Sequence, residues 1–118
     1  MTVDSADCLF CKIARGEIPA DVVAQRDGLL AFNDIHPQAP HHVLVIPTEH
    51  VPTVNDLAER HAELVGRMVL LARDVAAERG FAEDGYRLVL NNGRHGGQSV
   101  YHLHLHLLGG RYLTWPPG

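Results

Sequence analysis

The sequence predicts an α+β fold with an antiparallel sheet, and three observations predict it. Short aliphatic and β-branched runs fall in adjacent pairs, one long stretch has helical apolar spacing, and a segment near the C-terminus alternates histidine with leucine. The 118 residues suffice for one domain over residues 1–118 and not for two. A composition of 46% hydrophobic and 20% charged residues is ordinary for a globular chain. The net charge of -4, with no lysine/arginine-rich run, argues against a nucleic-acid polymer as partner. A single nucleotide is still compatible, because backbone amides and helix ends hold one phosphate without net positive charge. No stretch approaches the ~20 apolar residues of a membrane span, and the short acidic N-terminus has no signal-peptide core. No membrane association and a cytoplasmic location are therefore expected.

Residues 1–7 are small and polar and are expected to be flexible. Cys8 to Gly16 reads as one or two helical turns stopped by glycine. Val22-Val23-Ala24 and Leu29-Leu30-Ala31-Phe32, joined at Asp27-Gly28, form a candidate hairpin. Pro37 and Pro40 make the following segment a fixed loop. Val43-Leu44-Val45-Ile46-Pro47 suits a central strand buried on both faces. Asp56 and Glu59 are spaced as a capping box for the long helix. Along that helix Leu57, Leu64, Met68, Leu71 and Val75 form the stripe, Val65, Val69 and Ala72 widen it, and Gly80 ends it. So wide a stripe fits either a deeply packed helix or one shared with a second subunit. Tyr86 to Leu90 is the next strand, then a glycine-rich loop, Asn91 to Ser99, and the histidine strand. The tail, 109–118, lacks periodicity.

In the histidine strand, alternation places Leu103, Leu105 and Leu107 on the core face and His102, His104 and His106 on the other. Cα atoms of His102 and His106 would lie roughly 13 Å apart at ~3.3 Å per residue. One zinc held by all three is therefore disfavoured against separate roles. A neutral imidazole that donates one N–H to a backbone carbonyl presents its other nitrogen as a nucleophile near pH 7, and His104, in the middle, is best flanked for it. The upstream loop can offer N–H groups to an anion. His42 is positioned to project into the same region. Asp34 is either a ligand-hydroxyl acceptor or a turn carboxylate. Cys8 and Cys11 form C-x-x-C without the βαβ context of a redox motif. They read as half a zinc site, with His50 and His102 as the other candidates, or as two structural thiols.

His102 to Leu108 resembles the histidine-triad pattern. Phe32 to Pro40 with His42 to Pro47, Gly96 to Tyr101, and Leu108 to Arg111 with Trp115 to Gly118 are similar to the Hint branch, the histidine-triad nucleotide-binding proteins. The resemblance covers about Phe10 to Gly118. It implies a five-stranded antiparallel sheet with one long helix and a short N-terminal helix, pairing into a ten-stranded sheet in a homodimer. It also implies hydrolysis of purine nucleoside 5′-phosphoramidates through a nucleotidyl-histidine, with no cofactor for catalysis. On that pattern His104 is the nucleophile, His106 bonds a phosphoryl oxygen, His102 fixes the array and His42 buttresses the nucleophile. Asp34 holds the ribose hydroxyls. Asn91, Gly97, Gln98 and Ser99 contact phosphate and leaving group, Ser99 assisting the amine. Phe10, Phe32 and Ile35 line the purine pocket, and Trp115 with the tail 109–118 reaches the partner's site. The cysteine pair resembles that of bacterial relatives with a structural zinc, whose other ligands correspond to His50 and His102. His36 and His41 depart from the pattern, standing where serine and threonine are usual. The alternatives are a nucleotide-binding regulatory or scaffolding dimer and a dinucleoside polyphosphate hydrolase of the same superfamily.

Overall fold

The computed structural model describes residues 6–118. Of the segment expected to be flexible, residues 1–5 lie outside the described residues, and Ala6 and Asp7 are exposed in a turn. Helix α1 spans Leu9–Ala14. The Cys8 Sγ caps it by accepting the Cys11 N–H at 3.3 Å, so a cysteine fills the role of a serine or aspartate N-cap. Strands β1 (Val22–Arg26) and β2 (Leu29–Asn33) form the expected hairpin. At its turn Asp27 and Gly28 both have positive φ, 49° and 76°, matching the twist of the flanking strands.

Strand β3 spans His41–Pro47, β4 Tyr86–Leu90 and β5 Leu105–Gly109. The order is β1-β2-β3-β5-β4, antiparallel throughout. The last strand in the chain thus lies between β3 and β4. Register pairs Val43 with Leu107 and Leu44 with His106. The period-two alternation sorts these residues into two layers. On one face Leu29, Ala31, Val43, Val45, Leu105 and Leu107 pack with the long helix. On the other, Leu30, Phe32, Leu44 and Ile46 pack with Cys8, Phe10 and Cys11. β3 is buried on both faces as expected.

The long helix, α2, runs from Ala62 to Glu78, so the expected capping box at Asp56 and Glu59 does not start it. The Asp56 carboxylate instead accepts from Thr53 Oγ1 at 2.7 Å and Thr53 N–H at 3.2 Å, closing a short 3-10 turn, Val54–Asp56. A second 3-10 turn, Glu59–His61, leads into α2. Local side-chain bonds of Thr and Asp outcompete helix at such positions. Leu57 therefore lies outside the helix. Leu64, Met68, Leu71, Ala72 and Val75 are buried as predicted, but Val69 is exposed beside Leu70 and Val65 is half-buried. Among the described residues no helix is long and apolar enough to cross a membrane.

The histidine segment keeps its alternation, yet the ladder begins only at Leu105. Upstream, the Leu103 N–H is taken by the Val51 carbonyl at 2.7 Å, pulling the backbone off β3 while Leu103 stays buried. Leu107 has no exposed surface and joins β3 to α2. Leu107→Ala should destabilise the fold by about 2–5 kcal/mol, read as a lower urea midpoint with an unchanged m-value. A shift below ~1 kcal/mol would mean that the layer collapses around the deletion.

Candidate active site

His102 enters first, because its two ends serve two different groups. Its Nε2–H donates to the Pro47 carbonyl at 2.7 Å, an acceptor only, which leaves the lone pair on Nδ1. That Nδ1 lies 3.3 Å from Cys8 Sγ, 3.4 Å from Cys11 Sγ and 3.4 Å from His50 Nδ1. Cys11 Sγ is in turn 3.2 Å from His50 Nδ1. The four donor atoms lie within 4.8 Å of one another. With zinc bonds of about 2.0–2.3 Å, a tetrahedral edge is roughly 3.3–3.8 Å, so the donor set and its spacing fit that ion. Burial and the neighbouring Cys8 push the Cys11 thiol up to about 11. A cation here would release protons as it bound.

The backbone carbonyl of His102 performs the second task. It accepts the Nδ1–H of His104 at 2.8 Å, leaving Nε2 of His104 as the unprotonated nitrogen. His104 is buried, and burial lowers its pKa from the ordinary 6.5, partly offset by that carbonyl and by Asp34. Phe10 from α1 stands edge-on to the ring, centroids 5.1 Å apart, and meets Phe32 at 5.6 Å. The nitrogen is thus neutral and fixed in tautomer, the state that nucleophilic attack needs.

A second histidine pair stands beside the first, with the rings of His104 and His106 4.9 Å apart. His42 Nδ1 accepts the Gln38 backbone N–H at 3.0 Å. In neutral His42 the proton must then sit on Nε2, which lies 2.9 Å from His106 Nδ1 and 3.5 Å from Asp34 Oδ2. His106 accepts at Nδ1 and so carries its own proton on Nε2, a buried atom without a hydrogen-bond partner. Burial pushes the His106 pKa down to about 4, helped by His104 and His42. Burial lowers His42 too, against the pull of Asp34. Asp34, His42 and His106 bring three donor atoms together, yet their bonding suits a proton better than a cation. A metal would find the His42 Nδ1 lone pair engaged with Gln38 and a proton on Nε2.

The structure therefore gathers Phe10, Phe32, Asp34, His42, His102, His104 and His106. His42 bonds His106 and not His104, and His102 orients His104 through its carbonyl while its ring faces the thiols. Gln98, expected to contact phosphate, is turned inward. Its Nε2 donates to the Pro52 and Val100 carbonyls and its Oε1 accepts the Gly93 N–H, so it staples the glycine loop. In that loop Asn91 is half-buried and Gly97 and Ser99 are exposed. Ile35 is 85% exposed and Trp115 80%; within one chain neither is covered, and Trp115 has the Arg87 guanidinium 6.0 Å from its ring centre. A groove of about 600 Å³ runs between Tyr86, Arg87 and Tyr112, Leu113, away from the histidines. Sequence reasoning missed Gln38 and Pro47, whose roles here belong to the backbone and carry no side-chain signal. It also missed buried His61, which accepts the Ala58 N–H and bonds Glu49.

Because the folded-state pKa of His106 lies below the ordinary 6.5, unfolded chain binds a proton that folded chain refuses. This contribution to stability is full above pH 6.5 and is lost as pH falls toward about 4. Urea midpoints measured across that window, with a chelator present throughout, should fall, and His106→Gln should flatten the slope. An unchanged slope would assign the loss elsewhere.

The family model described as scavenger mRNA decapping enzyme C-term binding matches residues 7–114. The purine nucleoside phosphoramidase of Escherichia coli (strain K12) is 55% identical over 107 residues, covering 91% of this chain and 90% of that one. A HIT family hydrolase from Legionella pneumophila Philadelphia 1 superposes with a TM-score of 0.93 at 55% identity, covering 95% of this chain and all of its own. A histidine triad protein from Clostridium difficile does so at 0.91 and 42% identity, covering 95% and 97%. With the triad, the five-stranded sheet and these likenesses in agreement, the chain belongs to the histidine-triad family.

Proposed function

We propose that the protein hydrolyses purine nucleoside 5′-phosphoramidates through a nucleotidyl-histidine on His104. The observation that carries this reading is the pairing of two buried rings, His104 with a free Nε2 lone pair and His106 with an Nε2 proton lacking a partner. A nucleophile beside a donor aimed at developing charge is what transfer at phosphorus requires. The 55% identity to a protein named purine nucleoside phosphoramidase supports the substrate class.

In the proposed reaction the His104 Nε2 attacks the α-phosphorus and the P–N bond breaks. The positive charge gained by the ring is eased by its Nδ1–H bond to the His102 carbonyl. His106 donates its Nε2–H to a phosphoryl oxygen. The departing amine takes a proton from solvent relayed by Ser99, and the water that attacks in the second step gives one back. Water then attacks the nucleotidyl-histidine, releasing the nucleoside monophosphate and free His104. Asn91 and Gly97 serve the phosphate, Asp34 the ribose hydroxyls, and Phe10, Phe32 and Ile35 the purine.

A structural zinc on Cys8, Cys11, His50 and His102 belongs to the same reading, and the reaction itself uses no cofactor. So does a cytoplasmic homodimer formed as a single domain over residues 1–118, in which the tail 109–118 brings Trp115 to the partner's pocket. Support for the dimer comes from the exposed Val69 and Leu70 on α2, the exposed Trp115 and the unpaired outer edge of β4. Two such edges joining would extend the sheet to ten strands.

Adenosine 5′-phosphoramidate should be turned over by the wild type without added metal, and His104→Ala should lose at least about a thousandfold in kcat. Wild-type activity in the variant would remove His104 from the reaction. Faster turnover of a dinucleoside polyphosphate, or binding without turnover of either, would replace the assignment with one of the two alternatives. Native mass spectrometry should find two chains and two zinc ions, with Cys8→Ser reducing the metal and lowering Tm. A metal-free wild type of unchanged Tm would leave Cys8 and Cys11 as packed thiols.

A further inference from the structure

We propose that Gly110 and Arg111, at the base of the C-terminal tail, are positioning residues for the pocket. They brace the Pro37–Pro40 loop so that the Gln38 N–H holds His42 and His106 in one tautomer each, with the His106 proton facing the phosphoryl position. The link to turnover rests on the phosphoramidase reading; the link to the tautomers does not.

The chain of bonds is continuous. Arg111 Nη2 donates to the Gln38 carbonyl at 2.9 Å. The N–H of that same residue donates to His42 Nδ1 at 3.0 Å. His42 Nε2–H donates to His106 Nδ1 at 2.9 Å, which leaves the His106 proton on the partnerless Nε2. The loop that supplies the first N–H is exposed over most of its length, and its own bonds are local: Asp34 N–H to the His42 carbonyl closes its base, His36 N–H reaches Asp34 Oδ1, and Gln38 Nε2 donates to the His36 carbonyl. A further anchor, on the Gln38 carbonyl, comes from the tail. A Cβ on Gly110 would stand 2.8 Å from Pro40 Cβ and 3.0 Å from His41 Cδ2, so the tail passes flush against the loop where only glycine fits. Its φ of 95° also disfavours any other residue. The guanidinium is steadied by a second bond, from Arg111 Nη1 to the Tyr112 carbonyl at 3.1 Å. Farther on, Arg87 Nη2 holds the Thr114 carbonyl at 2.8 Å, fixing the tail to β4.

The reverse tautomers are disfavoured by geometry. A proton on His42 Nδ1 would face the Gln38 N–H, donor against donor. His106 would then donate back to His42 Nε2 and present a lone pair to the phosphoryl oxygens, replacing attraction by repulsion. An unpaired buried donor costs more than its made bond is worth, so one backbone N–H suffices to set both rings while the loop stays in place. If the loop drifts, that N–H is lost and both tautomers become available.

The test is the imidazole nitrogen spectrum of the full ¹⁵N-labelled chain near neutral pH, read by long-range ¹H–¹⁵N correlation. His42→Gln and His106→Gln identify the two rings. In the wild type both should carry the proton on Nε2. In Arg111→Met and in Gly110→Ala both should show mixed Nδ1 and Nε2 patterns, with Tm recorded alongside. The kcat for adenosine 5′-phosphoramidate should fall by about fivefold, the equivalent of one ordinary hydrogen bond, with KM nearly unchanged, and Arg111→Lys should restore both tautomer and rate. A wild-type His106 protonated on Nδ1, or pure Nε2 tautomers persisting in both variants, would overturn the proposal. Tautomers that respond as expected in proteins that turn over no phosphoramidate would uphold the positioning and remove the assigned reaction.

Discussion

One peptide unit, that of His102, is the constraint on which the site depends. Its ring is fixed by the Pro47 carbonyl and faces two thiols and His50. Its own carbonyl fixes the tautomer of His104. A residue held at its side chain and used at its main chain cannot shift without moving both groups. The arrangement links the packing of α1 to the orientation of the proposed nucleophile through a single rigid unit. A backbone carbonyl is well suited to that task, because it cannot ionise, and the neighbouring Leu103 N–H is itself tied to the Val51 carbonyl.

The sheet makes this possible by separating two environments. The α2 face holds the larger apolar cluster and supplies most of the burial that drives folding. The α1 face mixes aliphatic and aromatic residues with cysteines, and four histidines stand along its margin. Low polarity there disfavours imidazolium and keeps the rings neutral near pH 7, while each buried N–H of His42, His102 and His104 is given an acceptor. The exception is His106 Nε2. A buried donor without a partner is costly, and in a site of this kind the cost is recovered when a ligand oxygen arrives.

Much of this was legible in the chain, and what was not has an identifiable physical cause. Alternation placed Leu103, Leu105 and Leu107 correctly, since a period of two follows from strand geometry whatever the context. The separate roles of His102 and His106 followed from rise per residue alone. The cysteines, His50 and His102 could be grouped as candidates, although no spacing rule reveals a contact spanning 94 residues. The helix start was misplaced because Asp56 has two local uses at equal sequence distance, and the bonds to Thr53 on its N-terminal side won. Gln98 ties the glycine loop together, a task that in sequence looks the same as facing a ligand. Gln38 and Pro47 act through N–H and C=O, which every residue of their kind possesses.

The strand order carries a consequence for how the molecule is made. β5, which bears His106 and continues from His104, is the last strand in sequence but the fourth in the sheet, between β3 and β4. A nascent chain that has completed β4 has no neighbour for it to pair with, since the gap belongs to residues not yet added. The ribosome thus delivers the keystone after the rest of the vault, and the sheet closes only once β5 has been made. The same late segment brings His102 to Cys8 across 94 residues of chain. A chain that stops before His102 therefore lacks the centre of its sheet and all three alternating histidines together.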